Sequence, residues 1–247
     1  PNPPPPKPTQ PTSKPHAETR NRNPWLKPVH AYSRKPCERL HQEIRDLISY
    51  LSPTPGEKKA RQAAMDRVSA VVKRVCGEEE EGARVLPFGS YSMDLYLPSS
   101  DIDLVVVMNE SDDSSSSIKN GEEQLRLLRK LARAIGKANI SAPNTLKVIS
   151  KARVPIIKYV DKQSGYAVDV SVNVGSGLAG AKMMVGKMRR HEALRPMTVF
   201  LKYYLTLRGL NEVFTGGLGS FSLMCMVLSF LELHPLLQLG LIQEKDN

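Results

Sequence analysis

An α+β fold is what this sequence predicts: a small mixed sheet with flanking helices, followed by a segment that is helical throughout. The order of apolar patterns carries the expectation. Helical spacing gives way to strand spacing, returns, and gives way again, so that the chain reads helix, strand, strand, helix, strands up to about residue 173. Beyond Gly175 only helical spacing remains, over about 177–189, 194–208 and 219–233, with Gly and Pro between the stretches. That change predicts one domain over 53–175 and a second, helical one over 176–247.

Residues 1–36 hold eleven of the nineteen prolines and seven Lys or Arg against one acidic residue, Glu18, and so supply +6 of the net charge of +10. With almost no apolar residues, they are expected to form an extended, disordered basic tail, which either steers RNA by its charge or merely keeps the chain soluble. Leu40, Ile44, Leu47, Ile48 and Leu51 then recur at helical spacing and predict an amphipathic helix over 37–51, ended by Pro53. Thr54-Pro55-Gly56-Glu57 combines a capping box with Pro at the first helical position. The helix it opens carries Ala64, Met65, Val68, Val71, Val72 and Val75 on one side and stops near Gly77. The acidic run Glu78 to Glu81 beside that Gly reads as solvated.

Strands are expected at about 84–88 and 101–108, and a flexible surface loop from Asn109 to Asn120. From Glu122 to Lys137, Leu125, Leu128, Leu131 and Ile135 form a buried stripe. Arg126, Arg129, Lys130, Arg133 and Lys137 form a basic face, which is either a solvated surface or an RNA track. Strands at about 145–150, 153–160 and 165–173 follow as a mostly antiparallel set, with Asp161 to Gly165 as the turn between the last two.

Composition narrows the class of function. Outside the tail the net charge is only +4, so the rest of the chain is no large basic platform. Cys37, Cys76 and Cys225 are odd in number and far apart, which argues against a disulfide framework or a zinc site and for a reducing compartment. The five His show no metal-ligand spacing. No apolar N-terminal stretch resembles a signal peptide, and the longest apolar run, Leu223 to Leu233, is interrupted and too short to span a bilayer, so no membrane partner is expected. The chain opens without Met, which predicts a piece of a longer gene product.

The chemistry is concentrated in Phe88-Gly89-Ser90 and in Asp101-Ile-Asp103, which heads an apolar run. On a strand, side chains alternate, so Asp101 and Asp103 share one face while Ile102, Leu104 and Val106 point into a core. Paired carboxylates suit hard cations such as Mg²⁺. A third carboxylate, Asp169, lies in another alternating stretch, with Tyr166, Val168, Val170 and Val172 on one face and Ala167, Asp169, Ser171 and Asn173 on the other. If the two strands are neighbours, three carboxylates converge and can hold two metals, one activating a hydroxyl and one clamping a leaving pyrophosphate. Gly89-Ser90 would let backbone and hydroxyl approach a phosphate. Each motif alone has a plainer reading, a solvated Asp pair or a Gly-Ser loop; their combination predicts nucleotidyl transfer from a triphosphate.

These residues carry a resemblance. Gly89-Ser90, the block from Leu95 to Asp103 and Val168-Asp169-Val170 resemble the polymerase-beta-like nucleotidyltransferases, and more closely the non-canonical poly(A) polymerases. Leu51 to Pro55, Lys151-Ala-Arg-Val-Pro-Ile-Ile-Lys158 and Leu210 to Ser222 are similar to the polymerases of the nuclear TRAMP RNA-surveillance complex type, and the likeness runs from about Cys37 to His234. The resemblance implies a polymerase-beta-like nucleotidyltransferase domain plus a helical central domain that is incomplete in this chain, with helix 37–52 packing on the latter. It implies that Asp101, Asp103 and Asp169 are catalytic and bind Mg²⁺ or Mn²⁺, that ATP is the substrate, and that Gly89 and Ser90 bind its phosphates. It further implies that Lys202 contacts the triphosphate, Ser220 hydrogen-bonds a phosphate, Phe221 stacks on the base and Gly177 lets the backbone approach the ribose. RNA 3′ ends, an RNA helicase and a zinc-knuckle RNA-binding protein are the implied partners, and the nucleus the implied compartment.

The chain departs from that pattern twice. Phe221 stands where the family commonly has Tyr, and Thr206 stands one turn after Lys202, where some relatives have a second phosphate-binding Lys. Template-independent adenylyl transfer to RNA 3′ ends is therefore the expected function. Terminal uridylyl transfer, a DNA-repair polymerase and a catalytically incompetent module acting through its basic tail are the alternatives.

Overall fold

A computed structural model describes residues 23–77, 83–108, 121–172 and 175–235. Most of the basic tail, the acidic run Glu78 to Glu81, the loop Asn109 to Asn120 and the last twelve residues lie outside the described residues. The described chain divides into two compact units, the first ending at Asp46 and the second beginning at Leu47. In the first, residues 23–36 are not featureless: a 3-10 turn spans Val29–Ala31, and Asp46 accepts from Lys27 Nζ at 2.8 Å and Tyr32 Oη at 2.9 Å.

Helix α1, Pro36–Leu51, buries Leu47, Ile48 and Leu51. Helix α2, Pro55–Cys76, starts where its sequence says: Thr54 accepts from the Glu57 amide, the Glu57 carboxylate accepts from the Thr54 amide, and Pro55 sits at the start. Strand β1 (Ala83–Pro87), the single turn α3 (Gly89–Ser92), β2 (Ile102–Met108), α4 (Gly121–Lys137), β3 (Lys147–Ile149), β4 (Ile156–Val160) and β5 (Ala167–Val172) follow. Three helices complete the described chain: α5 (Gly175–Arg190), α6 (Leu194–Leu207) and α7 (Ser220–Glu232).

The five strands form one sheet in the order β1-β2-β5-β4-β3. All neighbours are antiparallel except β2 and β5, which run parallel with Asp103 opposite Asp169. The sheet's core face carries Ile102, Leu104 and Val106 of β2, Val168, Val170 and Val172 of β5, and Ile157 and Tyr159 of β4. These pack with Ala64, Val68, Val71 and Val72 of α2 and with Leu128, Leu131 and Ile135 of α4. Burying a side chain of this size contributes roughly 1.5–3 kcal/mol. Alternation then forces Asp103, Asp169 and Lys158 to the opposite face. On α4, Lys130 of the basic face donates to the Val75 carbonyl at 3.2 Å near the end of α2, a position the helix dipole favours for a cation.

Candidate active site

The site rests on a row across three strands. Asp103 of β2 is the register partner of Asp169 of β5, which is in turn the register partner of Lys158 of β4. Asp101 lies one residue before β2, at the end of the Leu97 to Ser100 turn. The Lys158 ammonium donates to Asp101 Oδ2 at 2.7 Å and to Asp169 Oδ2 at 3.2 Å, and lies 3.2 Å from Asp169 Oδ1. That last oxygen is buried and accepts no hydrogen bond among the described residues.

Burial, more than the crowding of charge, sets the acidities here. Burial, then the carboxylates of Asp169 and Asp101, push the Asp103 carboxyl up to about 7. Burial likewise raises Asp169, with the ammonium of Lys158 opposing. Burial pushes the Lys202 ammonium down to about 8, against the attraction of Asp103.

Backbone geometry brings Gly89 against this row. Its φ is +54°, and a Cβ built on it would lie 2.6 Å from Asp103 Oδ2, so any other residue would be strained and would displace that carboxylate. Ser90 is buried, and its carbonyl accepts from the Leu95 amide at 3.0 Å, folding α3 back on the approach to Asp101. Lys202, buried on α6, donates to the Leu95 carbonyl at 3.0 Å. Its positive charge thus reaches the neighbourhood of Asp103, while a hydrogen bond ties α6 to the same loop. Helix α3 packs against both α5 and α7. Gly177 lies in the first turn of α5, and Ser220 and Phe221 open α7. The Phe221 ring lies over Gly180, whose Cβ would stand 3.3 Å from Cε2, and remains half-exposed. The structure thus joins the three carboxylates, Gly89 and Lys202 around one spot and sets Ser90, Ser220 and Phe221 on elements that adjoin it.

Among the described residues no group of three or more His, Cys, Asp or Glu side chains is gathered closely enough to form a metal cage by itself. A divalent cation nonetheless fits the donors present. Mg²⁺ commonly takes only one or two protein carboxylates beside water and substrate phosphate. Asp169 Oδ1 is buried and accepts no hydrogen bond, its ion-pair partner among the described residues being the Lys158 ammonium at 3.2 Å, and the buried Asp103 carboxyl is pushed up to about 7.

Residues 40–185 match the family model of the central palm domain of mitochondrial-like poly(A) RNA polymerases. The chain belongs to that family. Its relatives include poly(A) RNA polymerase CID14 of Cryptococcus neoformans, 36% identical over 91% of this chain and 28% of its own length. Poly(A) RNA polymerase protein 2 of Saccharomyces cerevisiae is 37% identical over 91% of the chain and 36% of its own length. Among solved structures, the polymerase core of TRAMP, an RNA surveillance complex, superposes with a TM-score of 0.68 at 37% identity, over 81% of this chain and 58% of that one. The chain thus spans about a third of the length of these two curated relatives.

Two residues of this palm domain receive no role from the motifs. Lys158 is legible in hindsight, because the turn Asp161 to Gly165 fixes the register of β4 against β5 and alternation puts it beside Asp169. Arg61 sits among the apolar positions of α2, fully buried. Its guanidinium donates to the carbonyls of Ser100 at 2.9 Å, Pro98 at 3.0 Å and Leu97 at 3.4 Å, and lies 4.6 and 4.1 Å from the ring centroids of Tyr96 and Tyr166. An Arg in an apolar stripe was the available signal.

Proposed function

We propose that this chain is the catalytic part of an enzyme that adds adenylate, without a template, to RNA 3′ ends. The supporting observation is the in-register pair Asp103 and Asp169, placed with Asp101 on the face of the sheet away from the core. In the reaction the RNA 3′ oxygen forms a bond to the α-phosphorus of ATP, the bond from that phosphorus to pyrophosphate breaks, and the hydroxyl proton is released. Mg²⁺ or Mn²⁺, held by Asp101 and Asp103 with Asp169 on the hydroxyl side, would activate that hydroxyl and neutralise the pyrophosphate.

The protein's own groups orient the substrate. Gly89 leaves open the space beside the Asp103 carboxylate. Lys202 supplies positive charge next to Asp103, and the half-exposed Phe221 ring offers a face to a base. Ser90, Ser220 and Gly177 lie on α3, α7 and α5, which meet at α3, and are assigned to the phosphates and ribose. The relatives named above are poly(A) RNA polymerases, which favours adenylate over uridylate. From the resemblance to the TRAMP-type polymerases we further propose a place in nuclear RNA processing, with an RNA helicase and a zinc-knuckle RNA-binding protein as partners.

Extension of a labelled oligo(A) primer tests the reading. The unaltered chain extends it with ATP and a divalent cation, while Asp101→Ala and Asp103→Ala do not. Extension by either variant overturns the assignment, and faster incorporation of UTP than ATP transfers it to uridylyl transfer.

A further inference from the structure

Lys158 bridges two of the three carboxylates, Asp101 and Asp169. Its ammonium touches Asp101 at 2.7 Å and both oxygens of Asp169 at 3.2 Å, contacts that a cation bound by these carboxylates would itself make. Among the described residues, Lys158 and Lys202 are the cations that act on Asp103, and they differ in freedom. Lys202 is buried, with its ammonium committed to the Leu95 carbonyl. The Lys158 side chain is 42% exposed, as is Asp101, so its long stem has solvent to swing into.

Resting on the catalytic reading above, we infer that Lys158 is a built-in stand-in cation: it holds Asp101 and Asp169 together while no metal is bound, and leaves when a divalent ion takes the carboxylates. Without it, Asp101, Asp103 and Asp169 would face one another with Lys202 as the remaining nearby cation among the described residues, a repulsive arrangement that would splay Asp101 from the row. With it, the carboxylates are arranged in advance, and the ion must compete with an ammonium already in place. Metal binding by the free protein is therefore weakened by an internal competitor. The ammonium is a positioning and gating group, and it takes no part in bond making.

The test uses the full 247-residue chain without nucleotide. Titration calorimetry with Mn²⁺ is expected to give at least tenfold tighter binding for Lys158→Met, and for Lys158→Gln, than for the unaltered chain. The metal-free melting temperature should fall in both variants and be regained on adding Mn²⁺. Should the variants fold poorly, nitrogen-15 NMR of the unaltered chain reads the same event: the Lys158 ammonium is protected from solvent exchange in chelator and loses that protection when Mg²⁺ is added. Binding of Mn²⁺ by the unaltered chain that the variants leave unchanged or weaken overturns the inference alone, as does an ammonium signal indifferent to Mg²⁺. Absence of Mn²⁺ binding in every chain overturns the metal-carboxylate reading and this inference together.

Discussion

Gly89 and Asp103 stand so close that a Cβ built on Gly89 would lie 2.6 Å from the Asp103 carboxylate oxygen and would force that side chain to shift. Gly89→Ala must also hold φ at +54°, which costs about 1 kcal/mol for a residue with a Cβ. Primer extension by this variant should drop by two orders of magnitude or more while its melting temperature falls only by a few degrees. Unchanged extension would show that Asp103 has room to move without consequence.

Arg61 gives a different expectation, because its loss strikes folding first. Arg61→Ala leaves three buried carbonyls without their donor and opens a cavity between Tyr96 and Tyr166, a loss of roughly 3–5 kcal/mol by denaturant titration. Arg61→Lys keeps the charge but not the planar fork, and should fall between the two. A loss below about 1 kcal/mol for the Ala variant would contradict the buried network.

The acidity of Asp103 sets a pH dependence. Its carboxyl is raised from an ordinary 3.8 to about 7 in the folded state, so the folded protein binds the proton more tightly than the unfolded one. The stability this gives is fully present below the unfolded value and is lost as pH rises through about 7. Thermal melts in chelator should therefore show a decline between those limits that Asp103→Asn removes. An identical decline in the variant would assign the effect to another group.

Phe221 should matter for ligand and little for folding. With its ring half-exposed over Gly180, Phe221→Ala should leave the melting temperature almost unchanged. ATP binding should weaken about 10- to 100-fold, which corresponds to a stacking contribution of about 1–3 kcal/mol. Equal affinity for ATP before and after the change, measured by calorimetry, would remove Phe221 from the nucleotide site.

Local features of this fold are legible in the sequence because they are written in neighbouring residues. The Thr54-Glu57 capping box, the stripe of α4 and the alternation around Asp103 and Asp169 each need only a few positions, and each stands where the pattern puts it. Long-range pairing is written less directly. The sequence makes convergence of Asp103 and Asp169 conditional on their strands being neighbours; the parallel pairing of β2 with β5, across a crossover of some sixty residues, meets that condition. The strands expected at 145–150 and 153–160 are shorter, Lys147–Ile149 and Ile156–Val160. Lys202 is expected to bind triphosphate, yet its ammonium already serves a backbone carbonyl, a contact that exists only once α6 has docked beside Leu95.

The grip of Arg61 on the turn before Asp101 is made wholly through main-chain oxygens, and Ser100 Oγ closes the same turn by accepting from the Leu97 amide at 2.9 Å. Side-chain identity is therefore nearly irrelevant at the exposed Ser99, where a library of substitutions should be accepted almost indiscriminately. One helix away, Arg61 has no acceptable substitute. The turn before Asp101 is thus permissive at Ser99 and exacting in a distant residue, so a mutational scan should find a strict requirement for this turn thirty-nine residues upstream of Ser100.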